Sequence, residues 1–199
     1  MRVFVALDLD SAIRRRIQDF VNEIRYTAPG VRWMSDESLH VTLKFVGEKP
    51  EAVVKGIETS LRSIHDDPFQ LRFSGTGFFP TPRSPRVFWI GIHAQDALTH
   101  LAKAIDDSLM KIGIAKEDRD FSPHLTLARA RGGSGAPEQR KGDKPNRQFA
   151  KLQEFLATHP APDFGTMTAH EFFLYRSQLS NQGSQYTKLA RFELRPATG

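Results

Sequence analysis

The chain alternates between two hydrophobic periods, one typical of strands and one typical of helices. Alternating apolar and polar positions predict strands over residues 2–8, 39–46, 69–73, 87–92, 124–129, 169–175 and 186–194. Apolar residues three or four positions apart predict amphipathic helices at 11–24, 53–64 and 98–112, and a shorter helix at 148–157. Asp10 or Ser11 is the expected N-cap of the first helix. Strands and helices in this mixture predict an α+β fold.

Two stretches lack either period. Residues 75–85 are rich in Gly and Pro with embedded phenylalanines, which predicts turns. Residues 131–147 combine Gly and Pro with Lys and Arg, which predicts a flexible basic loop.

Two short segments recur at one offset. Residues 2–4 (Arg-Val-Phe) recur as residues 86–88, and residues 40–43 (His-Val-Thr-Leu) recur as residues 124–127 (His-Leu-Thr-Leu), both 84 positions later. Each pair of segments encloses the same order of strand, helix and strand. We interpret this as a duplication that builds two lobes of one domain over residues 1–199, related by approximate two-fold symmetry.

The second repeated segment carries the candidate chemistry. Because side chains alternate along a strand, His40, Thr42 and Lys44 are expected on one face, and His124 and Thr126 on the equivalent face of the other lobe. Two-fold symmetry would bring these polar faces to one groove. The other five histidines have no comparable context and are assigned to the surface or to structural roles.

Two imidazoles and two hydroxyls suit cleavage of a phosphodiester. An imidazole with a pKa near 6.5 can act as a base or as an acid near neutrality. Threonine hydroxyls can donate hydrogen bonds to the charge that develops on the phosphoryl oxygens. A metal site is disfavoured, because Thr stands where a His-x-His site would have its second ligand. We therefore expect no metal and no cofactor.

Composition bears on the partner and the compartment. The formal charge of +5 and the pI near 9.6 favour an anionic partner such as a nucleic acid. The absence of cysteine excludes disulfides, thiolate catalysis and cysteine-based zinc sites. The first apolar stretch ends at Asp8, and no run approaches the roughly 18–20 residues of a membrane span. A cytoplasmic protein that contacts no membrane is expected.

The paired His-x-Thr-Leu motifs resemble the signature of the two-histidine (2H) phosphoesterase superfamily. More closely, the sequence resembles bacterial RNA 2′,3′-cyclic phosphodiesterases, the LigT or ThpR type of 2′-5′ RNA ligase. Similar segments lie at residues 2–8, 31–33, 39–47, 85–89, 119–129, 174–177 and 186–187.

The resemblance implies a bilobal fold in which antiparallel sheets line a central cleft. It also implies hydrolysis of a terminal 2′,3′-cyclic phosphate to a 2′-phosphate, and in some members the joining of tRNA halves. The catalytic set would be His40, Thr42, His124 and Thr126. The sequence leaves the acid and base roles open; we favour His124 as the base that activates water and His40 as the acid.

Four further residues are candidate substrate contacts. Lys44 has the parity of the groove face. Arg129 matches the family pattern, but strict alternation points it toward the core unless the strand bulges near Ala128. Tyr175 and Trp33 are candidates for stacking on a base, whereas Phe45 has the parity of the core.

Two alternatives stay open from the sequence. One is a 2H phosphoesterase that acts on a small cyclic nucleotide or a 2′-5′ oligonucleotide, and the other is a non-catalytic RNA-binding protein. The expected partner is RNA with 2′,3′-cyclic phosphate ends, tRNA halves among them, and binding of a nucleotide in the cleft is also open. Internal symmetry makes one copy sufficient to build the site, so a monomer is expected.

Overall fold

Strands and helices account for most of the residues that the computed structural model describes, which are 1–117, 120–132, 147–180 and 183–196. The strands are β1 (Arg2–Leu7), β2 (Arg32–Trp33), β3 (Val41–Glu48), β4 (Phe69–Phe79), β5 (Val87–His93), β6 (His124–Arg129), β7 (Asp163–Ala169), β8 (Glu171–Ser180) and β9 (Gly183–Glu193). The helices are α1 (Ser11–Ile24), α2 (Glu51–Leu61), α3 (Ala97–Met110) and α4 (Ala150–Thr158). Most of the loop predicted at 131–147 lies outside the described residues.

The predicted elements are largely confirmed, with three differences. Strand β2 was not predicted, because its two residues form a strand only by pairing with β6. Strand β4 continues through the stretch predicted as turns, since Gly75 takes a positive φ at a register shift and Gly77 leaves room for the ring of Trp89. The strand predicted at 169–175 is β8, whereas β7, which precedes it and turns into it at His170, was not predicted.

Two antiparallel sheets repeat one strand order. The first sheet has the order β3-β1-β8-β9, and the second has the order β2-β6-β5-β4-β7. Apart from β2, the orders correspond strand by strand: β3 with β6, β1 with β5, β8 with β4 and β9 with β7. The predicted α+β fold with pseudo-two-fold duplication is therefore confirmed.

The pairing corrects one detail of the duplication. Phe4 lies opposite Phe45 in the first sheet, whereas Val87 lies opposite Arg129 in the second. The equivalent of Phe4 is therefore Val87, not Phe88, although the Arg-Val-Phe echo aligns Phe4 with Phe88. The His-x-Thr-Leu segments do occupy equivalent positions. Thr42 lies opposite Ala6 of β1, and Thr126 lies opposite Trp89 of β5, the strand that corresponds to β1.

Each crossover helix packs against the sheet of the other lobe. Helix α1, which joins β1 to β3, packs on β7 of the second sheet, where the ring of Phe20 meets that of Phe164 edge-on at 5.2 Å. Helix α3, which joins β5 to β6, packs on β3 of the first sheet. One hydrophobic core therefore runs through both lobes. None of the helices in the described part of the chain is long and apolar enough to cross a membrane.

Candidate active site

A cleft of about 520 Å³ lies between the two sheets, on the faces turned away from the shared core. The first sheet contributes polar and aromatic side chains to its lining, and the second contributes an equivalent polar set. The side chains that matter to the chemistry are His40, Thr42, Phe45, Tyr186, His124, Thr126 and Arg129. All four members of the predicted His/Thr set are thus brought to one cavity.

The two histidines are held in the same way. Nδ1 of His40 lies 2.7 Å from the carbonyl oxygen of Ser38, and Nδ1 of His124 lies 2.8 Å from that of Ser122. Since a carbonyl only accepts, Nδ1 carries the proton in each ring. In the neutral imidazole the lone pair is then on Nε2, so each ring is oriented as a base that can also hold a second proton.

Burial shifts both imidazoles in the same direction. Desolvation lowers the pKa of His40 to about 4, although the Ser38 carbonyl opposes the shift. Desolvation also lowers the pKa of His124. The positive charge of Arg129 contributes to the lowering of the pKa of both rings, which means that this guanidinium is close enough to act on each.

A bulge in each of the strands that contain the motif threonines, β3 and β6, decides which neighbours face the cleft. In the pairing of β1 with β3, Ala6 lies opposite Thr42 but Val5 lies opposite Lys44, so β3 has an extra residue. In the pairing of β5 with β6, the same extra residue separates Thr126 from Ala128. Each bulge reverses the alternation that follows it. As a result, the equivalent residues Phe45 and Arg129 both line the cleft.

The prediction that Lys44 faces the groove is wrong. Its side chain is buried on the core side of the bulge, where it forms an ion pair with Asp106 of α3. Its Nζ also donates a hydrogen bond of 2.9 Å to the carbonyl oxygen of Ala115. Lys44 therefore joins β3 to α3 and its following loop.

Arg129 is the cation that the cleft does receive. Desolvation lowers its pKa, and the positive charges of Arg32 and Arg2 lower it further. Arg2 and Arg32 also line the cleft, and neither was predicted. The sequence offered one signal for these two residues. Arg2 begins β1 and Arg32 begins β2, and these strands pair with β3 and β6, which contain the motif threonines. Among the described residues, the lining includes three arginines and no carboxylate, which makes the cleft suited to an anion.

Aromatic rings surround the first histidine. Tyr175 stacks on Phe4 at 5.1 Å, is only 6% exposed and lies outside the cleft lining. Its ring is therefore buried beneath the surface of the cleft, and not at the surface where it was predicted to contact the substrate. Burial raises the pKa of its hydroxyl. Tyr186 of β9 meets His40 edge-on at 5.0 Å and does line the cleft.

The second histidine has an aromatic neighbour of its own. Phe79 meets His124 edge-on at 5.0 Å, a contact that alternation alone did not indicate because β4 was expected to end earlier. Phe45, which strand parity had assigned to the core, is 57% exposed in the cleft. Trp33 instead packs edge-on against Phe88 and donates from Nε1 to the Ala28 carbonyl, away from the cleft.

The described residues contain no cluster of three His, Asp or Glu side chains that could hold a metal ion. Among the described part of the chain, the donors at this cleft are therefore imidazole, hydroxyl and guanidinium groups. Such a set can move protons and bind a phosphoryl group.

Comparison with known proteins gives consistent matches. The family model of LigT-like phosphoesterases matches residues 7–89. The chain is 34% identical over 193 residues to the RNA 2′,3′-cyclic phosphodiesterase of Archaeoglobus fulgidus. The alignment covers 97% of this chain and 100% of the relative. The protein TT0787 of Thermus thermophilus matches with a TM-score of 0.76 at 28% identity, over 100% of both chains. E. coli LigT in complex with 3′-AMP matches with a TM-score of 0.75 at 27% identity, over 97% of each chain.

Proposed function

The chain belongs to the LigT-like phosphoesterase family, and from that premise we propose that it is an RNA 2′,3′-cyclic phosphodiesterase that works with His40 and His124. One observation carries the proposal: two imidazoles with identically fixed Nδ1 atoms face one cleft together with Arg129. The substrate is the cyclic phosphate at an RNA end, and the product is a 2′-phosphate with a free 3′-hydroxyl.

In this reaction the attacking water must lose a proton, and the leaving oxygen O3′ must gain one. Water attacks phosphorus and gives a proton to Nε2 of one imidazole, while the bond from phosphorus to O3′ breaks. The bonding electron pair stays on O3′, which takes a proton from the imidazolium of the other histidine. The hydroxyls of Thr42 and Thr126 and the guanidinium of Arg129 stabilise the charge on the non-bridging oxygens.

The asymmetry of the cleft supports one division of the two roles. The bulges place an exposed aromatic ring, Phe45, on the side of His40 and a cation, Arg129, on the side of His124. With the base stacked on Phe45, the proposed pose has the ribose on the His40 side of the phosphate, so that O3′ leaves toward His40. In-line attack requires the water to approach from the opposite side, which is that of His124. His40 is then the acid and His124 the base.

Arg129 and the phosphate act on the histidines in opposite directions. Without substrate, the cation holds the pKa of both rings down. A bound phosphate anion offsets that charge and favours the imidazolium form. Substrate binding therefore helps to protonate the acid that the reaction consumes.

The direct test is incubation of the purified protein with a short RNA that ends in a 2′,3′-cyclic phosphate, with EDTA present. We expect conversion to a 2′-phosphate, identified by its resistance to enzymes specific for 3′-phosphates. His40→Ala and His124→Ala should each lose at least about a hundredfold in turnover while still binding the RNA. If both variants match the wild type, the protein is not a two-histidine enzyme. If the wild type binds the RNA but leaves it intact, the substrate is a different phosphodiester.

One copy of the chain supplies every residue named in this cleft, so we expect the enzyme to act as a monomer. Ligation uses the same groups, with a 5′-hydroxyl in place of water. An RNA with a 5′-hydroxyl end, such as a tRNA half, would then join the cyclic end through a 2′-5′ linkage.

A further inference from the structure

A second hollow opens beside the catalytic cleft, where β1 begins. It has a volume of about 420 Å³ and is lined by Met1, Arg2, Glu48, Arg176, Ser177 and Gln178. Arg2 and Ser177 line the catalytic cleft as well. The two cavities are therefore neighbours that share a wall, and an extended ligand can lie across both.

The register of the first sheet puts the hollow in line with the catalytic groups. Along β1, Ala6 is level with Thr42, Phe4 is level with Phe45, and Arg2 is level with Glu48 and Ser177. The distance from Ala6 to Arg2 is about 13 Å at the usual rise of a strand. A nucleotide whose cyclic phosphate lies near Thr42 and whose base stacks on Phe45 can extend its 5′ side along β1 toward Arg2.

The charges at the hollow favour a phosphate. Within the described part of the chain, no carboxylate forms an ion pair with Arg2 or Arg176, whereas Arg14, Arg62, Arg72, Arg191 and Arg195 are paired. Glu48 is the one acidic residue among the described residues of the lining, and its side chain is 85% exposed, which lets water screen it. Guanidinium groups bind phosphate oxygens through two parallel hydrogen bonds.

We propose that this second hollow binds the phosphate on the 5′ side of the terminal nucleotide, with Arg176 as its dedicated ligand. The inference rests on the proposed function and extends it, because it makes the enzyme selective for the end of a polymer over a lone cyclic nucleotide. Arg2 contributes to both cavities, whereas Arg176 lines only the second. Arg176 is therefore the residue that separates the two sites.

Three substrates test the hollow one group at a time: adenosine 2′,3′-cyclic phosphate, the same nucleotide with a 5′-phosphate, and the dinucleotide ApA ending in the cyclic phosphate. For the wild type, we expect kcat/KM to be about tenfold higher for the second and third than for the first, as one charge-assisted contact provides. A gain with the 5′-phosphate alone would identify the phosphate, and not the second base, as the group that is bound.

Arg176→Ala should reduce the dinucleotide preference from about tenfold to about twofold, and Arg176→Lys should keep part of it. The salt dependence of KM for the dinucleotide should also weaken in Arg176→Ala, by about 0.7 in the slope of log KM against log salt. Arg15→Ala is the matched control, because Arg15 is exposed on α1 and lines neither cavity. It should keep the wild-type preference and salt dependence.

A wild type without any preference for the longer substrates would overturn the inference, and so would an Arg176→Ala variant that loses the same factor on all three. If thermal unfolding shows that Arg176→Ala does not fold, the preference in kcat/KM for the dinucleotide over the lone cyclic nucleotide is measured on Arg176→Gln instead. A wild type that hydrolyses none of the three overturns the proposed function itself. If only the proposed phosphate site is wrong, the result is different: the enzyme still hydrolyses the substrates but does not prefer the longer ones.

Discussion

His40 and His124 share one backbone contact but differ in their surroundings. Both donate from Nδ1 to a carbonyl two residues earlier in the chain. His40 is packed against Phe4 at 4.7 Å and against Tyr186, whereas His124 has Phe79 at its edge. The identical contact leaves Nε2 of both rings able to exchange a proton, and under the proposed mechanism the different neighbours correspond to different partners in the substrate.

The roles of the two histidines can be separated with a modified leaving group. In a substrate whose 3′ bridging oxygen is replaced by sulfur, the leaving thiolate is a weak base that needs no proton from the enzyme. His40→Ala should then recover at least about tenfold relative to its activity on the normal substrate. His124→Ala should recover nothing, since water still needs a base. Recovery in His124→Ala and not in His40→Ala would reverse the assignment.

The lowered pKa values set the pH dependence. In the free enzyme, desolvation lowers the pKa of both imidazoles, that of His40 to about 4, which favours the neutral form of both rings. The reaction needs one of them protonated, and kcat/KM reports the free enzyme. We therefore expect a bell-shaped profile of kcat/KM with its maximum below pH 6.5. The profile of kcat should peak at higher pH, because the bound phosphate raises both pKa values. A maximum of kcat/KM above pH 7 would contradict the burial of these rings.

At the scale of the element, the bulges in β3 and β6 determine the chemistry of the cleft. Without them, strict alternation would turn Lys44 toward the substrate and Arg129 toward the core. With them, Lys44 bonds to α3 and Arg129 reaches the cleft. Each of these two segments thus brings the His and the Thr of its motif, two residues apart, to the cleft. A third side chain faces the cleft after the extra residue.

The same substitution at these two positions should have opposite effects. Lys44→Met removes the partner of Asp106 inside the protein, which should cost about 2 kcal/mol of unfolding free energy, less than for a fully buried pair. The activity of the folded Lys44→Met protein should stay within about twofold of the wild type, since Lys44 does not reach the cleft. Arg129→Met should keep most of its stability and lose about a hundredfold in kcat/KM. Thermal unfolding and steady-state kinetics on both variants provide the check. A hundredfold activity loss in Lys44→Met with an unshifted Tm would show that Lys44 contacts the substrate after all.

At the scale of the whole molecule, the two lobes are interlocked. Each crossover helix leaves its own sheet and packs on the other, and one core joins both. Neither sheet can bury its apolar face without the other lobe. We therefore expect the cleft between them to keep its width, and with it the separation of the two histidines.

Interlocking should make unfolding cooperative. Both tryptophans, Trp33 and Trp89, lie in the second sheet, so their fluorescence reports that lobe, whereas far-UV circular dichroism reports both. We expect the two signals to give one denaturant midpoint. Fluorescence and circular dichroism midpoints that differ would mean that the lobes unfold separately.

Much of this protein could be read from the order of its residues. The periodic apolar positions predicted most strands and helices, because each element must bury one face. The doubled His-x-Thr-Leu segment predicted both the duplication and the four side chains at the cleft, because side chains two residues apart on a strand share a face. These are local consequences of backbone geometry, and local pattern is sufficient for them.

Other features were decided only by the tertiary structure. The positions of Lys44, Phe45, Arg129 and Tyr175 depend on bulges and on layers of packing, and a bulge is a mismatch between two paired strands. The second hollow likewise arises from strand ends that are far apart in sequence but adjacent in the first sheet. A single strand carries the alternation of its own side chains. Which residue is the extra one, and which face follows it, is determined by the partner strand, and that partner is known only once the chain has folded.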